Sequence, residues 1–406
     1  MKLPLLQVLS ETEVEEIHQA SLRLLWDVGI RVEDEELRQV LKRAGCKTEE
    51  DDDIVCFPSK LVETLLRKIP SSFSVTGYGK NPGLTLGDGI PHFASGMQAV
   101  NFFEPGQAMP SPATTREIID FVRLSEQLET IEMVATPALS QEVDQEISLG
   151  YTVREMLTNT SKPLIVAPFV LEDANIILEM MKVIGSGDGG RPRWVCQQSM
   201  RSPFCLPSDM AQIMRLVIPA GVPMLYHTAP QTALTAPYTL AGLAVQYNAE
   251  MLAAMVSGQA IQPGAPCLYG GGWGTSDMRQ LQRCISTPEA ALMRIAGRQL
   301  SSRYGVPAHC LGPDADSLLS DQQAGWEKML TALASVGAGV DLQPNAGMIG
   351  TGMNLSLAQL IMDSEILEIA KAFFKNIKID KDHLAEDIIR HVGHKRDYIS
   401  HKQTLD

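Results

Sequence analysis

PGAPCLYGGGWGTSD, residues 263–277, is the stretch around which the chain is organised. Its apolar run, 265–269, reads as a buried strand that spills into three consecutive glycines and then Trp273. Glycines remove side chains where a bulky group approaches the backbone. Tyr269 and Trp273 stand beside that gap with aromatic faces that attract cations. A strand end that delivers glycines, an aromatic and Asp277 to one place is how a parallel α/β enzyme builds a pocket. The competing reading is a surface loop whose tryptophan caps the core.

Outward from this stretch a rhythm is visible. Strand-like apolar runs recur at 91–94, 131–136, 163–168, 193–198, 222–227, 265–269, 306–311 and 340–344, and amphipathic helices fill the gaps, among them 114–128, 172–184, 208–219, 240–258, 288–304, 321–337 and 357–374. Unbroken apolar strands alternating with helices imply parallel strands buried on both faces. About eight such units predict a (β/α)8 TIM barrel over 90–377. An open doubly wound sheet is the alternative, but no GxGxxG follows any strand. Residues 1–89 read as an N-terminal helical cap packed on the barrel. In it Ser10 and Glu13 form a capping box, Gly29 stops the first helix, Pro58 opens the third, and 73–78 adds some strand. The run of acids at 49–53 reads as a solvated turn, and 378–406 as a charged C-terminal tail, either partly mobile or an oligomer contact.

Composition narrows the function classes. A 406-residue chain, 45% hydrophobic and 20% charged, is that of a globular protein. Its net charge of −14 argues against nucleic acid or an anionic membrane surface as partner. No apolar run approaches the roughly 18 residues of a membrane span, and the acidic N-terminus does not read as a signal peptide. Seven cysteines with no CxxC pair read as reduced thiols in a cytoplasmic protein.

A barrel places its active site at the carboxyl ends of the strands. There the sequence sets Phe93 to Gly96, Tyr226 and His227, Tyr269 to Trp273, His309 with Asp314 and Asp316, and Gln343 to Gly347. Aromatics, neutral amides and a few acids converge without lysine or arginine, a combination that suits a cation with an apolar coat, such as a methylated amine.

The chain resembles the trimethylamine methyltransferase family, in particular its branch without pyrrolysine, which includes glycine betaine methyltransferase. The resemblance runs through LSETEVEEIHQASLRLLWDVGIRV, FPSKLVETLLRKIP, Asn159 to Pro163, TAPYTLAGLAVQYNAEMLAAMV followed by QPGAPCLYG, DADSLLSDQQAGWEKM and NAGMIGTGMNLSLAQLIMDSEIL. It implies a (β/α)8 barrel and methyl transfer from an amine to the cobalt of a separate corrinoid protein, with no tightly bound cofactor and, by analogy, a homo-oligomer. Two positions depart from the family pattern. Leu318 stands where a lysine is frequent, and Pro344 stands where a histidine is frequent, so the substrate can differ from glycine betaine.

A quaternary ammonium carries its own leaving group, so no acid or base is required and the protein's work is positioning and electrostatics. On this reading Phe93, Tyr226, Tyr269 and Trp273 form an aromatic box, with barrel-core packing as the alternative for each. His227 orients an anionic end of the substrate or is satisfied by backbone. Asn248 and Glu250 form a polar pair that belongs either to a structural network or to the pocket. Asp316 and Glu250 position the substrate, Asp321 caps a helix, and Gln343 and Asn345 supply neutral donors. Gly271, Gly272, Asp277, Gly347 and Gly350 face the corrinoid. Three rival readings remain. One is a zinc-dependent thiol or alcohol methyltransferase recruiting Cys267, His309 and Cys310. The others are methyl transfer to tetrahydrofolate and a non-catalytic betaine-binding protein.

Overall fold

A computed structural model describes residues 5–48, 53–79, 81–185, 190–375, 377–394, 397–399 and 401–405. The acid run at 49–53 lies outside them except for Asp53. Eight parallel strands form one sheet: β1 (His92–Ser95), β2 (Val134–Ala135), β3 (Leu164–Val166), β4 (Trp194–Ser199), β5 (Met224–His227), β6 (Cys267–Gly271), β7 (Ala308–Cys310) and β8 (Leu342–Ala346). Their spatial order is β1-β8-β7-β6-β5-β4-β3-β2, and a parallel bridge from Ala94 to Met133 joins the two ends. The sheet is therefore a closed (β/α)8 barrel, as the alternation of apolar runs predicts.

The strands are apolar on both sides because each side meets protein. Ala94, Met133, Ala135, Ile165, Val195, Leu225, Leu268 and Leu342 form one cluster inside the barrel. Their neighbours in sequence, including Val134, Leu164, Cys196, Tyr226, Tyr269 and Cys310, belong to a second cluster with the surrounding helices. That split is the period-two alternation of a strand.

The helices follow each strand in turn: α4 (Thr115–Gln127), α5 (Gln145–Asn159), α6 (Leu171–Ile184), α7 (Ser208–Val217), α8 (Leu240–Ile261), α9 (Pro288–Tyr304), α10 (Gln322–Ala338) and α11 (Leu357–Phe373). Thr114 caps α4 in a capping box with Glu117, and Asp321 caps α10 by accepting from Ala324 N. Helix α5 fills the gap between β2 and β3, for which the sequence reading named no helix bounds.

The N-terminal segment contributes α1 (Glu11–Asp27), α2 (Glu35–Ala44) and α3 (Ser59–Leu66). Helix α1 carries the expected capping box between Ser10 and Glu13. This segment also supplies strands Ile30–Val32 and Ile54–Cys56, the first of which pairs with Cys205–Leu206 after β4. A further hairpin, Phe73–Val75 with Leu84–Leu86, sends Val75 and Leu86 into the luminal cluster. It thus plugs the amino-terminal end of the barrel.

Helices α1, α2 and α3 all pack on α8. That cover explains why α8 is apolar all round: it is a helix sandwiched between barrel and cap rather than a surface helix. Leu243, Met251, Leu252, Met255 and Val256 on it are fully buried, each worth about 1.5–3 kcal/mol of transfer free energy. Among the described residues no helix is long and apolar enough to cross a membrane.

Candidate active site

The three glycines after β6 do three different jobs. Gly270 faces the lumen, where a Cβ would fall 2.3 Å from His309 Cδ2. Gly271 faces the helices, where a Cβ would meet Tyr247 at 2.6 Å and Trp273 at 2.9 Å. At Gly272 a Cβ would lie 2.8 Å from His227 Cε1, 2.9 Å from an Arg283 guanidinium nitrogen and 2.5 Å from Leu311. The triplet therefore lets the His309 ring lie across β6 and brings His227, Arg283 and Leu311 together where the strand ends.

His227 and His309 project into the lumen, since Tyr226, Ala308 and Cys310 beside them pack outward. Their rings stack with centroids 5.7 Å apart and planes 25° apart. His309 Nε2 lies 2.8 Å from the Tyr226 carbonyl oxygen. A carbonyl only accepts, so Nε2 carries the proton. Burial lowers the His309 pKa to about 4. It also holds His227 well below the ordinary imidazole value, aided by His309 and Arg283. Both rings are neutral at pH 7, and both Nδ1 atoms are buried without a partner. Gln197, in phase with luminal Val195 and laterally paired with Leu225, likewise leaves its Oε1 without a partner. Gln197 and His227 each retain 7% exposure.

Arg283 comes from the hairpin Thr275–Asp277 with Gln282–Cys284 that follows β6. It donates to the Gly272 carbonyl, and its Nε is buried without a partner. Burial pulls its pKa down, opposed by Asp314. Asp314, however, is paired with buried Arg294 and accepts from Asn345 Nδ2 at 3.0 Å. Among the described residues no carboxylate forms an ion pair with Arg283.

Several residues expected at the pocket lie elsewhere. Tyr226 and Tyr269 point out of the barrel, because they occupy the helix-facing phase of β5 and β6. The Tyr269 hydroxyl lies 2.9 Å from Asn248 Oδ1, which also meets the Tyr304 hydroxyl at 3.0 Å. Asn248 Nδ2 donates to Ser21 Oγ of α1 at 2.9 Å, so Asn248 ties the cap to the barrel wall. Trp273 packs edge-on against Tyr247 and beside Gly297 of α9. Phe93 belongs to a separate cluster with Phe102, Phe121 and Leu360. The four aromatics thus do not share one cavity, because each is in helix-facing phase.

The polar candidates behave similarly. Glu250 is fully buried and accepts from Ser202 Oγ at 2.7 Å, Phe204 N at 3.1 Å, Gln246 Nε2 at 3.0 Å and Thr228 Oγ1. It fastens α8 to the loops after β4 and β5. Asp316 accepts from Ile285 N, Ser286 N and Ser286 Oγ, at 2.9, 3.1 and 2.6 Å, and so staples the loop before α9. Gln343 is registered beside Phe93 and is buried with both side-chain polar atoms unpartnered. Asn345 adopts φ 97° and bonds Asp314.

Gly347 lies against Phe121 and Leu360, donating to Asp363 Oδ2 at 2.6 Å. Gly350 donates to Ser317 O at 2.7 Å. Both glycines are buried. Asp277 sits on the hairpin, accepting from Arg279 N at 2.8 Å. Pro344 accepts from Gly312 N through its carbonyl, and Leu318 stands 60% exposed.

Cys267 and Cys310 face the helices while His309 faces the lumen, so the three cannot converge on zinc. Among the described residues no group of three or more His, Cys, Asp or Glu is arranged to hold a metal ion. Sequence reasoning missed Gln197 and Arg283, and it placed His309 among the strand-end residues but gave it a role only as a zinc ligand in a rival reading. Gln197 was findable as a polar residue in an otherwise apolar strand. Arg283 had no such signal, since the hairpin that carries it is short and polar.

A family model described as trimethylamine methyltransferase (MTTB) matches residues 1–406. Trimethylamine methyltransferase MttB of Methanosarcina barkeri (strain Fusaro) is 29% identical over 410 residues, covering 98% of this chain and 82% of that protein. MttB of Desulfitobacterium hafniense (strain DCB-2) is 25% identical, covering 97% and 80%. Glycine betaine methyltransferase of Desulfitobacterium hafniense (strain Y51) is 27% identical, covering 99% and 84%. The crystal structure of the Methanosarcina barkeri monomethylamine methyltransferase MtmB superposes with a TM-score of 0.57 at 10% identity, over 89% of this chain and 83% of that one. That likeness shows the fold.

Proposed function

Because the chain belongs to the trimethylamine methyltransferase family, we propose that it takes a methyl group from a betaine-type amine, one that carries both an N-methyl cation and a carboxylate, for delivery to a separate corrinoid protein. The observation that supports this most is Arg283. A guanidinium largely withdrawn from water at the end of the lumen, with no carboxylate of its own chain paired to it, calls for an anion. A substrate carboxylate supplies one. Such a substrate also agrees with the likeness to a glycine betaine methyltransferase.

When a quaternary ammonium is attacked, one C–N bond breaks and its electron pair stays on nitrogen. The amine leaves neutral and no proton moves. Two neutral imidazoles and an amide lining the lumen fit that requirement, since none has to act as acid or base. Their task is to hold the substrate so that a methyl faces the mouth. The stacked imidazole faces replace the expected aromatic box as the surface nearest the cation.

The corrinoid bound to the partner supplies the nucleophile. This chain's contribution to that encounter is the rim. Val100, Met109, Tyr238, Leu281, Leu318 and Met353, on loops at the carboxyl ends of the strands, are 49%, 75%, 76%, 65%, 60% and 51% exposed. Apolar side chains spread around a mouth favour docking of another protein.

The test is a panel of amines incubated with a reduced corrinoid carrier protein, with methylation of the carrier followed by absorbance. Carboxylate-bearing quaternary amines are expected to react and trimethylamine to react poorly. Turnover of trimethylamine in preference to every betaine would refute the assignment.

A further inference from the structure

His309 Nδ1 has a lone pair and nothing to give it to. The proton count is fixed by geometry, because Nε2 must donate to the Tyr226 carbonyl at 2.8 Å. In the neutral ring Nδ1 is therefore an acceptor. It is buried in the lumen without a partner. The adjacent His227 ring cannot donate to it, since the rings stack at 25° rather than meeting edge to edge. Gln197 adds a second buried acceptor, its Oε1, to the same lumen. A buried acceptor left unmet is costly, so the natural occupant brings a donor.

The trimethylammonium head has no N–H and cannot provide one, and a carboxylate is acceptor only. We infer that the substrate carries a hydroxyl group that donates to His309 Nδ1, beside the carboxylate assigned to Arg283, which makes it an N-methylated hydroxy acid rather than a plain betaine. The proposal rests on the methyltransferase reading above and narrows it. A hydroxyl is favoured over a protonated amine because the Arg283 guanidinium opens onto the same lumen and repels a second ammonium centre placed there.

The test uses the full chain and matched ligand pairs that differ only at the hydroxyl: choline against propyltrimethylammonium, and carnitine against γ-butyrobetaine. Binding is read by titration calorimetry without the corrinoid partner. At least one hydroxylated member is expected to bind about tenfold or more tightly than its counterpart, as for a site built around a substrate hydroxyl. That preference is expected to vanish in His309→Phe and to survive in part in His309→Gln, which retains an acceptor.

Equal affinity within both pairs overturns the hydroxyl assignment while leaving the methyltransferase reading intact. Preference for the tertiary amine dimethylglycine over all four ligands overturns it in favour of an N–H donor. Discrimination that persists in His309→Phe overturns the role of His309. Binding of none of these amines overturns both readings. The wild-type pairs decide the matter if neither variant folds.

Discussion

Trp273 meets Tyr247 edge-on, with ring centroids 4.5 Å apart and planes at 77°, on the helix side of the barrel wall. The indole is 3% exposed and sits where α9 carries Gly297, whose absent side chain makes room for it. Trp273→Ala is therefore expected to cost about 3–5 kcal/mol of stability through the cavity it leaves. Trp273→Phe should leave amine affinity within about twofold, because the ring touches no luminal group. Urea denaturation and ligand titration on the two variants separate packing from binding. A selective loss of affinity in the phenylalanine variant would restore the aromatic-box reading.

Glu250 gathers Ser202, Phe204, Thr228 and Gln246 onto one buried carboxylate. Removing it strands several donors, so Glu250→Ala should lower stability by about 3 kcal/mol or more. Glu250→Gln should fall between the two, since an amide can accept some of those bonds. Any activity loss is expected to track the fraction unfolded in equilibrium denaturation, not to appear in a fully folded variant.

Arg283→Gln is expected to raise KM for a carboxylate-bearing amine by about 10- to 100-fold, the range of a hydrogen bond to a charged partner. kcat should change much less, because the guanidinium holds the substrate and not the breaking bond. Steady-state kinetics with glycine betaine and trimethylamine in parallel checks this. An equal effect on both substrates would refute the carboxylate contact.

Acid should destabilise the fold through its luminal histidines. Burial lowers the His309 pKa to about 4, and it lowers that of His227 as well. In the unfolded chain both rings take up protons near pH 6.5. Between those values the unfolded state binds more protons than the folded one, so stability is fully present above about pH 6.5 and is lost as pH falls towards about 4. His309 alone accounts for about 3 kcal/mol over that window. Denaturation midpoints measured at about pH 7 and about pH 4.5 should diverge less in His309→Phe than in the wild type.

Lys328 and Asp363 form an ion pair at 2.8 Å with both side chains fully buried, and Asp363 also accepts from Gly347 N at 2.6 Å. Lys328→Met leaves a buried carboxylate without its cation and is expected to cost about 3–5 kcal/mol. Adding Asp363→Asn should recover part of that loss. A double variant no more stable than Lys328→Met, measured by chemical denaturation, would show that the pair is not what holds α10 to α11.

The barrel was readable because its signal is local and repeated. Each strand is a short apolar run, and Thr114, Thr287 and Asp321 announce the helices that follow in their side-chain caps. The site was readable only as a neighbourhood. Aromatic and polar residues at strand ends fit either the pocket or the core, because a strand sends alternate residues to opposite faces and composition does not say which face is inward. Tyr226 and His227 are adjacent in sequence, yet one packs under α8 and the other faces the lumen.

The sequence by itself determined the eightfold alternation, the capped helices and the family, since all three are written in residue types at short spacing. The tertiary structure alone decided which phase of each strand faces inward. It spent Glu250, Asp316 and Asn248 on fastening loops and cap, and it brought Arg283 of the hairpin after β6 beside the His227 imidazole, which stacks on His309. The reason is geometric. A one-residue change of phase exchanges lumen for helix layer without altering composition, and contacts between residues far apart in the chain leave no trace in local pattern.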